Sequence, residues 1–167
     1  CLAALLAAHR NIPQGRTLSL GVSVSGVDSP LEIAATPVSP GVVDAVVEMP
    51  PCEKNACISQ PEPGMAIVPL QGITHVLLDQ SRHPFPRDDY QGQAARIRNR
   101  FGLDRLPAAG CIWYTRHAKT LSIEPVVWVK ATSSTYHETA CGSGTIALGL
   151  FQALEQNGPW ECGILQP

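Results

Sequence analysis

A cysteine that precedes a glycine-rich segment is the part of the sequence best suited to chemistry. The segment consists of Cys141, Gly142, Ser143, Gly144 and Thr145. An apolar stretch follows and predicts a helix over 145–156. Backbone N–H groups at a helix start, left unobstructed by two glycines, can bind an anion such as a carboxylate. The positive end of the same helix is expected to lower the pKa of the Cys141 thiol and to raise its thiolate fraction.

A thiolate next to a carboxylate-binding site is suited to removing the α-proton of an amino acid, since that reaction needs a held carboxylate and a base against Cα. The alternative is an ordinary buried cysteine at a glycine-rich helix entry. Upstream, Glu138 either orients the substrate ammonium group or side chain, or caps the helix. His75 ends a predicted strand and either points into the cleft or is structural. We predict Cys141 as the catalytic residue, and as substrate-binding residues Gly142, Ser143, Gly144, Thr145, Glu138 and His75.

Composition narrows the class of protein. Hydrophobic residues make up 44% and charged residues 16% of the chain, which predicts a folded domain. The net charge is −2 and no basic patch is present, so we expect no nucleic-acid partner. The longest apolar run, residues 2–8, is too short to span a bilayer and lacks a basic flank, which favours a cytoplasmic protein without a membrane anchor. The six cysteines lack zinc-site spacing, so we expect no metal and assign all but Cys141 to packing or helix positions.

The elements that must position the motif follow from periodicity and turn residues. Residues 1–8 predict a buried helix and residues 90–101 a surface helix. Alternating or short apolar runs predict strands over 18–26, 31–36, 42–49, 65–70, 74–78, 111–115, 121–129 and 162–165. The proline-rich stretch 50–64 predicts a loop and the best position for a domain boundary.

The two apolar helices share a pattern. A shift of 146 residues places Leu2 on Leu148 and Asn11 on Asn157, and in both places an apolar helix is followed by Asn-x-Pro and a strand. The match is either a coincidence between similar units or the trace of a duplicated domain. Both ends of the chain also suggest truncation of a longer protein.

The residues from Glu138 to Thr145 resemble the second-cysteine motif of the diaminopimelate epimerase-like superfamily. The resemblance implies an α/β (α+β) fold of two pseudo-symmetric halves, each a curled, mostly antiparallel sheet around a central helix. Residues 1–60 would be the C-terminal part of the first half, and 61–167 most of the second. It also implies amino-acid racemases or epimerases that use no pyridoxal phosphate or other cofactor, have free amino acids as substrates and often form homodimers.

Members of this superfamily use two cysteines on opposite faces of Cα, one as thiolate base and the other as thiol acid. The first of them begins a Cys-Gly-Asn motif ahead of the first central helix. The 146-residue repeat places the counterpart of Cys141 six positions before Cys1. We therefore expect the second catalytic thiol to precede this chain, and Cys1 to be a helix residue.

The motif departs from that of diaminopimelate epimerase itself. No arginine lies between Lys119 and Cys141, and Ser133 stands where the arginine for a distal carboxylate is expected. Residues 72–75 read Gly-Ile-Thr-His in place of the usual Gly-Asn-Pro-His. The segment 123–129 and the Glu138 spacing are similar instead to histidine racemases of opine-type metallophore biosynthesis. The alternatives are a diaminopimelate epimerase, a racemase of proline or another amino acid, and a carboxylate-based isomerase or non-catalytic binding protein of the same fold.

Overall fold

The computed structural model describes residues 6–7, 9–23, 29–49 and 57–167. The chain divides into two compact units, Cys1–Pro51 and Cys52–Pro167. Strands form two sheets with mostly antiparallel pairing, which confirms the predicted α+β class. The helix predicted over 1–8 lies mostly outside the described residues, and Leu6, Ala7 and His9 are helical.

A three-stranded antiparallel sheet forms the first unit. Its strands are β1 (Leu18–Val22), β2 (Leu31–Ser39) and β3 (Val42–Val47), in the order β1-β2-β3. Alternation along β2 buries Ile33 and Ala35, which pack with Ala7. The last three residues of the strand predicted over 18–26 lie outside the described residues.

The second unit contains the predicted catalytic motif within a seven-stranded sheet. Its elements are β4 (Ser59–Glu62), β5 (Met65–Leu70), β6 (Ile73–Asp79), α1 (Tyr90–Arg100), β7 (Ala108–Arg116), β8 (Thr120–Val129), β9 (Ser134–His137), α2 (Gly142–Glu155) and β10 (Gly163–Leu165). The strand order is β10-β8-β7-β6-β5-β4, and β9 also pairs with β8. The pairs β6–β7 and β8–β10 are parallel.

Both faces of this sheet are covered, because its central strands bury side chains on alternate sides. On one face, Leu77 and Ile112 pack with Leu148 of α2. On the other, Val76 and Trp113 pack with the α1 side of the unit. A period of two therefore sends odd and even residues of β6 to different cores, and His75 shares the α2 side with Leu77.

Three predictions about these elements were wrong. The loop predicted over 50–64 contains β4, an edge strand that pairs with β5 only at its ends, around Pro61. Strand β9 was not predicted, because its sequence Ser-Thr-Tyr-His lacks an apolar alternation. Helix α2 begins at Gly142, three residues earlier than predicted, since packing overrides the low helix propensity of glycine.

Within the described ranges, no helix combines the length and the apolar character needed to cross a membrane.

Candidate active site

Cys141 lies at the junction of β9 and α2 and is the residue that precedes the first turn of the helix. Its backbone is extended, and its side chain is buried, with 3% of the residue exposed. The Cys141 carbonyl accepts a hydrogen bond from the Thr145 amide at 3.0 Å and another from Thr145 Oγ1 at 2.9 Å. Thr145 therefore holds the helix start through its hydroxyl.

Gln166, just after β10, holds the same residue from the other side. The Cys141 amide donates to Gln166 Oε1 at 2.6 Å, and Gln166 Nε2 donates to Thr145 Oγ1 at 3.3 Å. Gln166 was missed in the sequence, because no local pattern connects it with a residue 25 positions earlier. The parallel pairing of β10 with β8 brings the two together.

The first turn of α2 supplies the N–H groups that the motif predicted. The amides of Gly142, Ser143 and Gly144 have no acceptor within the helix, as at every helix N-terminus. The Gly144 amide faces the Cys141 sulfur and acts to lower the pKa of the thiol. Among the described residues, the Gly142 and Ser143 amides have no acceptor, and amides at a helix start can bind an anion.

Gly144 also makes room for the sulfur. A Cβ atom at this position would lie 2.6 Å from Ile112 Cδ1 and 3.2 Å from Cys141 Sγ. Ile112 is fully buried and cannot give way freely. The second glycine of the motif is thus required by the close approach of the helix to the thiol and to β7.

The predicted lowering of the Cys141 pKa was wrong. Burial, and next the nearby Glu138 carboxylate, raise the pKa of the thiol to about 12, although the Gly144 amide and the Ser143 hydroxyl act in the opposite direction. A sulfur among apolar side chains loses the hydration of its charged form, and the helix terminus does not replace it. Cys141 is therefore a protonated thiol at neutral pH in the folded chain.

Glu138 is half-buried and follows β9 directly. Its amide donates to the Pro125 carbonyl at 2.8 Å, and its carboxylate lies close enough to raise the pKa of the Cys141 thiol. Among the described residues, the Glu138 carboxylate accepts no hydrogen bond from an amide of α2, so the structure does not favour the capping alternative. The structure brings Glu138 to the thiol, and its contact with substrate stays a prediction.

The preceding residue, His137, anchors the strand that carries Glu138. His137 Nε2 lies 2.8 Å from Glu124 Oε2, and the imidazole packs against the rings of Phe85 and Tyr90, with centroid distances of 5.2 and 5.4 Å. These contacts join β9 to β8 and to the segment that enters α1. They restrict where Glu138 can place its carboxylate.

His75 also belongs to this cluster. It is fully buried on β6, and its Nε2 lies 2.9 Å from Ser143 Oγ. Burial lowers the pKa of His75 to about 4, so the imidazole is neutral at neutral pH. Gly110 lies opposite on β7 and provides the space for the ring, because a Cβ there would approach His75 Nδ1 to 2.2 Å.

The structure therefore brings Cys141, Ser143, Gly144, Glu138 and His75 together, and Thr145 supports the helix start. Gly142 is exposed at the first position of α2. Of the cysteines assigned to packing, Cys111 is buried and Cys162 half-buried, Cys57 is exposed, and Cys52 lies outside the described residues. Across the described ranges, no group of three His, Cys, Asp or Glu side chains could hold a metal ion.

Thiol labelling can check the protonation state of Cys141. At pH 7.5 we expect iodoacetamide to modify Cys141 much more slowly than the exposed Cys57, because only the thiolate reacts. The Cys141 rate should still rise about tenfold per pH unit up to pH 9, since its pKa lies well above that range. Peptide mass spectrometry after timed labelling measures both sites. Faster modification of Cys141 than of Cys57 at neutral pH would contradict the raised pKa.

Comparison with protein-family models identifies the family of this chain. A sequence model of the family described as histidine racemase CntK N-terminal domain matches residues 1–167. A search of curated proteins finds no match. Because the family match covers the whole chain, the protein belongs to the histidine racemase CntK N-terminal domain family, whose name implies racemase activity.

Proposed function

We propose that this protein takes part in the racemisation of free histidine, without a cofactor, and that Cys141 transfers a proton at Cα. The observation that carries the proposal is the buried Cys141 thiol next to the two free amides of Gly142 and Ser143. Membership in a racemase family supports the reaction type. The D-histidine formed would supply an opine-type metallophore.

Cys141 is best suited to act first as the acid. Its thiol is protonated at neutral pH and can deliver its proton to one face of the Cα carbanion, while the Gly142 and Ser143 amides hold the carboxylate. The thiolate left behind accepts hydrogen bonds from the Gly144 amide and the Ser143 hydroxyl. In the opposite direction the roles are exchanged: Cys141 starts as the thiolate that the first direction leaves behind and takes the Cα proton, while the group on the other face delivers one.

Inversion also needs a proton-transfer group on the opposite face of Cα. The resemblance to the diaminopimelate epimerase-like superfamily implies a second cysteine for this role. With one group on each face, a proton leaves from one side and another arrives on the other. The carbanion formed between the two steps carries the charge that the α2 amides stabilise through the carboxylate.

The absence of an arginine between Lys119 and Cys141 supports a substrate without a distal carboxylate. A second carboxylate would need a bidentate partner, which arginine supplies best. Histidine has a neutral or singly charged imidazole instead. Proline or another neutral amino acid is the second candidate substrate, because it also lacks a distal carboxylate.

Exchange of the α-proton tests this proposal. The full-length protein is incubated in deuterated water with histidine, proline or diaminopimelate, with no added cofactor, and the Cα–H signal is followed by proton NMR. We expect loss of the histidine signal, with chiral chromatography showing both enantiomers. Exchange of diaminopimelate alone would refute the substrate, and no exchange of any amino acid would refute the reaction.

A further inference from the structure

A line of three polar side chains connects the centre of the sheet with the thiol. His75 Nε2 on β6 lies 2.9 Å from Ser143 Oγ on α2, and Ser143 Oγ lies 3.8 Å from Cys141 Sγ. His75 and Ser143 are 68 residues apart in the chain. The imidazole is connected to the thiol through the Ser143 hydroxyl, which can donate one hydrogen bond and accept others.

The surroundings of His75 determine the direction of these hydrogen bonds. Nδ1 is buried against Gly110 and has no hydrogen-bond partner among the described residues. A buried N–H without an acceptor is rarer and more costly than an unused acceptor. The neutral ring therefore carries its hydrogen on Nε2 and donates it to Ser143 Oγ.

The tautomer of His75 determines where the Ser143 hydroxyl hydrogen points. Because its oxygen accepts from the imidazole, the Ser143 hydroxyl hydrogen is free to point elsewhere, and Cys141 Sγ is within sulfur hydrogen-bond distance. With the other tautomer, the hydroxyl would donate to Nε2 and turn away from the sulfur. Burial keeps the His75 imidazole neutral, so the ring carries no positive charge that would repel a nearby substrate ammonium group.

We propose that His75 is a positioning residue that orients the Ser143 hydroxyl toward Cys141 and so stabilises the thiolate formed during proton transfer. The inference rests on the proposed function, because it assigns the hydroxyl to the proton-transferring sulfur. It gives the buried imidazole a role that does not require contact with substrate. A merely structural histidine would leave the thiol unaffected once the fold is intact.

The first measurement uses the thiol directly and needs no catalytic activity. We expect Ser143→Ala in the full-length protein to lower the thiolate fraction of Cys141 by about tenfold, the usual effect of one hydrogen bond to a charged group. The remaining thiolate is roughly threefold more nucleophilic, so labelling by methyl methanethiosulfonate should be about threefold slower between pH 7.5 and 9. An unchanged Cys141 rate would overturn the proposal.

The second measurement tests whether His75 acts through the serine. We expect His75→Leu to slow Cys141 labelling as much as Ser143→Ala does, and the double variant to show no further change. His75→Gln keeps an N–H donor near the Nε2 position and should retain the wild-type rate, which keeps the test decisive if the leucine variant does not fold. Additive effects of the two single variants, or a glutamine variant as slow as Ser143→Ala, would overturn the proposal.

A similar His–Ser pair provides the control. His117 Nε2 lies 3.0 Å from Ser122 Oγ at an exposed site, and among the described residues neither side chain hydrogen-bonds to Cys141, Ser143 or His75, so His117→Leu and Ser122→Ala should leave Cys141 labelling unchanged. Cys111, buried on the other face of the sheet, reports any general opening and should keep its slow rate in every variant. If the protein also racemises histidine, kcat should fall about tenfold in Ser143→Ala and in His75→Leu with little change in KM, because the charge on sulfur exists only after proton transfer.

Discussion

Replacing Cys141 with alanine is expected to lower the rate of histidine racemisation by about 10²- to 10⁴-fold, the contribution of a positioned acid or base. The variant removes the only group in the motif that can carry the proton, while the Gly142 and Ser143 amides stay in place. Substrate binding should therefore change much less than turnover. The measurement is formation of the opposite enantiomer by chiral chromatography, together with the affinity for histidine by calorimetry.

A serine variant of Cys141 and an alanine variant of an exposed cysteine complete this experiment. Cys141→Ser keeps the size of the side chain but offers a much weaker acid, so turnover should fall nearly as far as in the alanine variant. Cys141→Ser is still expected to support elimination from a substrate that carries a good β-leaving group. Elimination needs only one strong base, and that base lies on the opposite face of Cα. Cys57→Ala is the matched control and should retain full activity. Normal racemisation by Cys141→Ala would show that another residue transfers the proton on this face of Cα.

Gly110→Ala is expected to lower the free energy of unfolding by about 1–3 kcal/mol, as for overpacked cores in general. The new Cβ would lie 2.2 Å from His75 Nδ1 and 2.6 Å from Cε1, and the fully buried ring has no free space to move into. A displaced ring also loses its hydrogen bond to Ser143. Urea denaturation followed by circular dichroism measures the change.

Gly163→Ala serves as the control for this prediction. Gly163 also lies in a strand of the same sheet, but a Cβ there would meet only Thr120 Cγ2, at 3.4 Å. We expect its effect to stay within about 0.5 kcal/mol. Equal stability of the two alanine variants would mean that the sheet adapts around His75, and that Gly110 is not needed for the ring.

Local patterns in the sequence were sufficient for most of the elements. Periodic apolar residues predicted α1 and the strands β5 to β8, because each of these buries a continuous apolar side. The same rule could not find β9, whose polar residues pair along the outer edge of β8, or β4, whose Pro61 is typical of loops. Each pairs with the strand next to it in the chain, but its own residues lack the apolar alternation that predicts a strand.

The candidate site divides in a similar way. The thiol and the free amides were visible in one short segment, because a helix start is a local structure. The contacts of His75 with Ser143 and of Gln166 with Cys141 were not, since the first arises from packing of α2 on the sheet and the second from the pairing of β10 with β8. The pKa of Cys141 was misjudged for the same reason: the helix terminus could be seen in the sequence, but the apolar side chains that bury the sulfur could not.

Burial of the Cys141 thiol has a consequence for oxidative damage. Peroxides attack the thiolate of an accessible cysteine and convert it to sulfenic acid, which can be oxidised further and irreversibly. Cys141 has the opposite properties in the folded chain, because it is 3% exposed and its pKa is raised to about 12. Cys141 therefore remains a protonated thiol, which resists oxidants, until it transfers its proton to a substrate. The unfolded chain lacks this protection, so folding itself preserves the chemistry of the thiol.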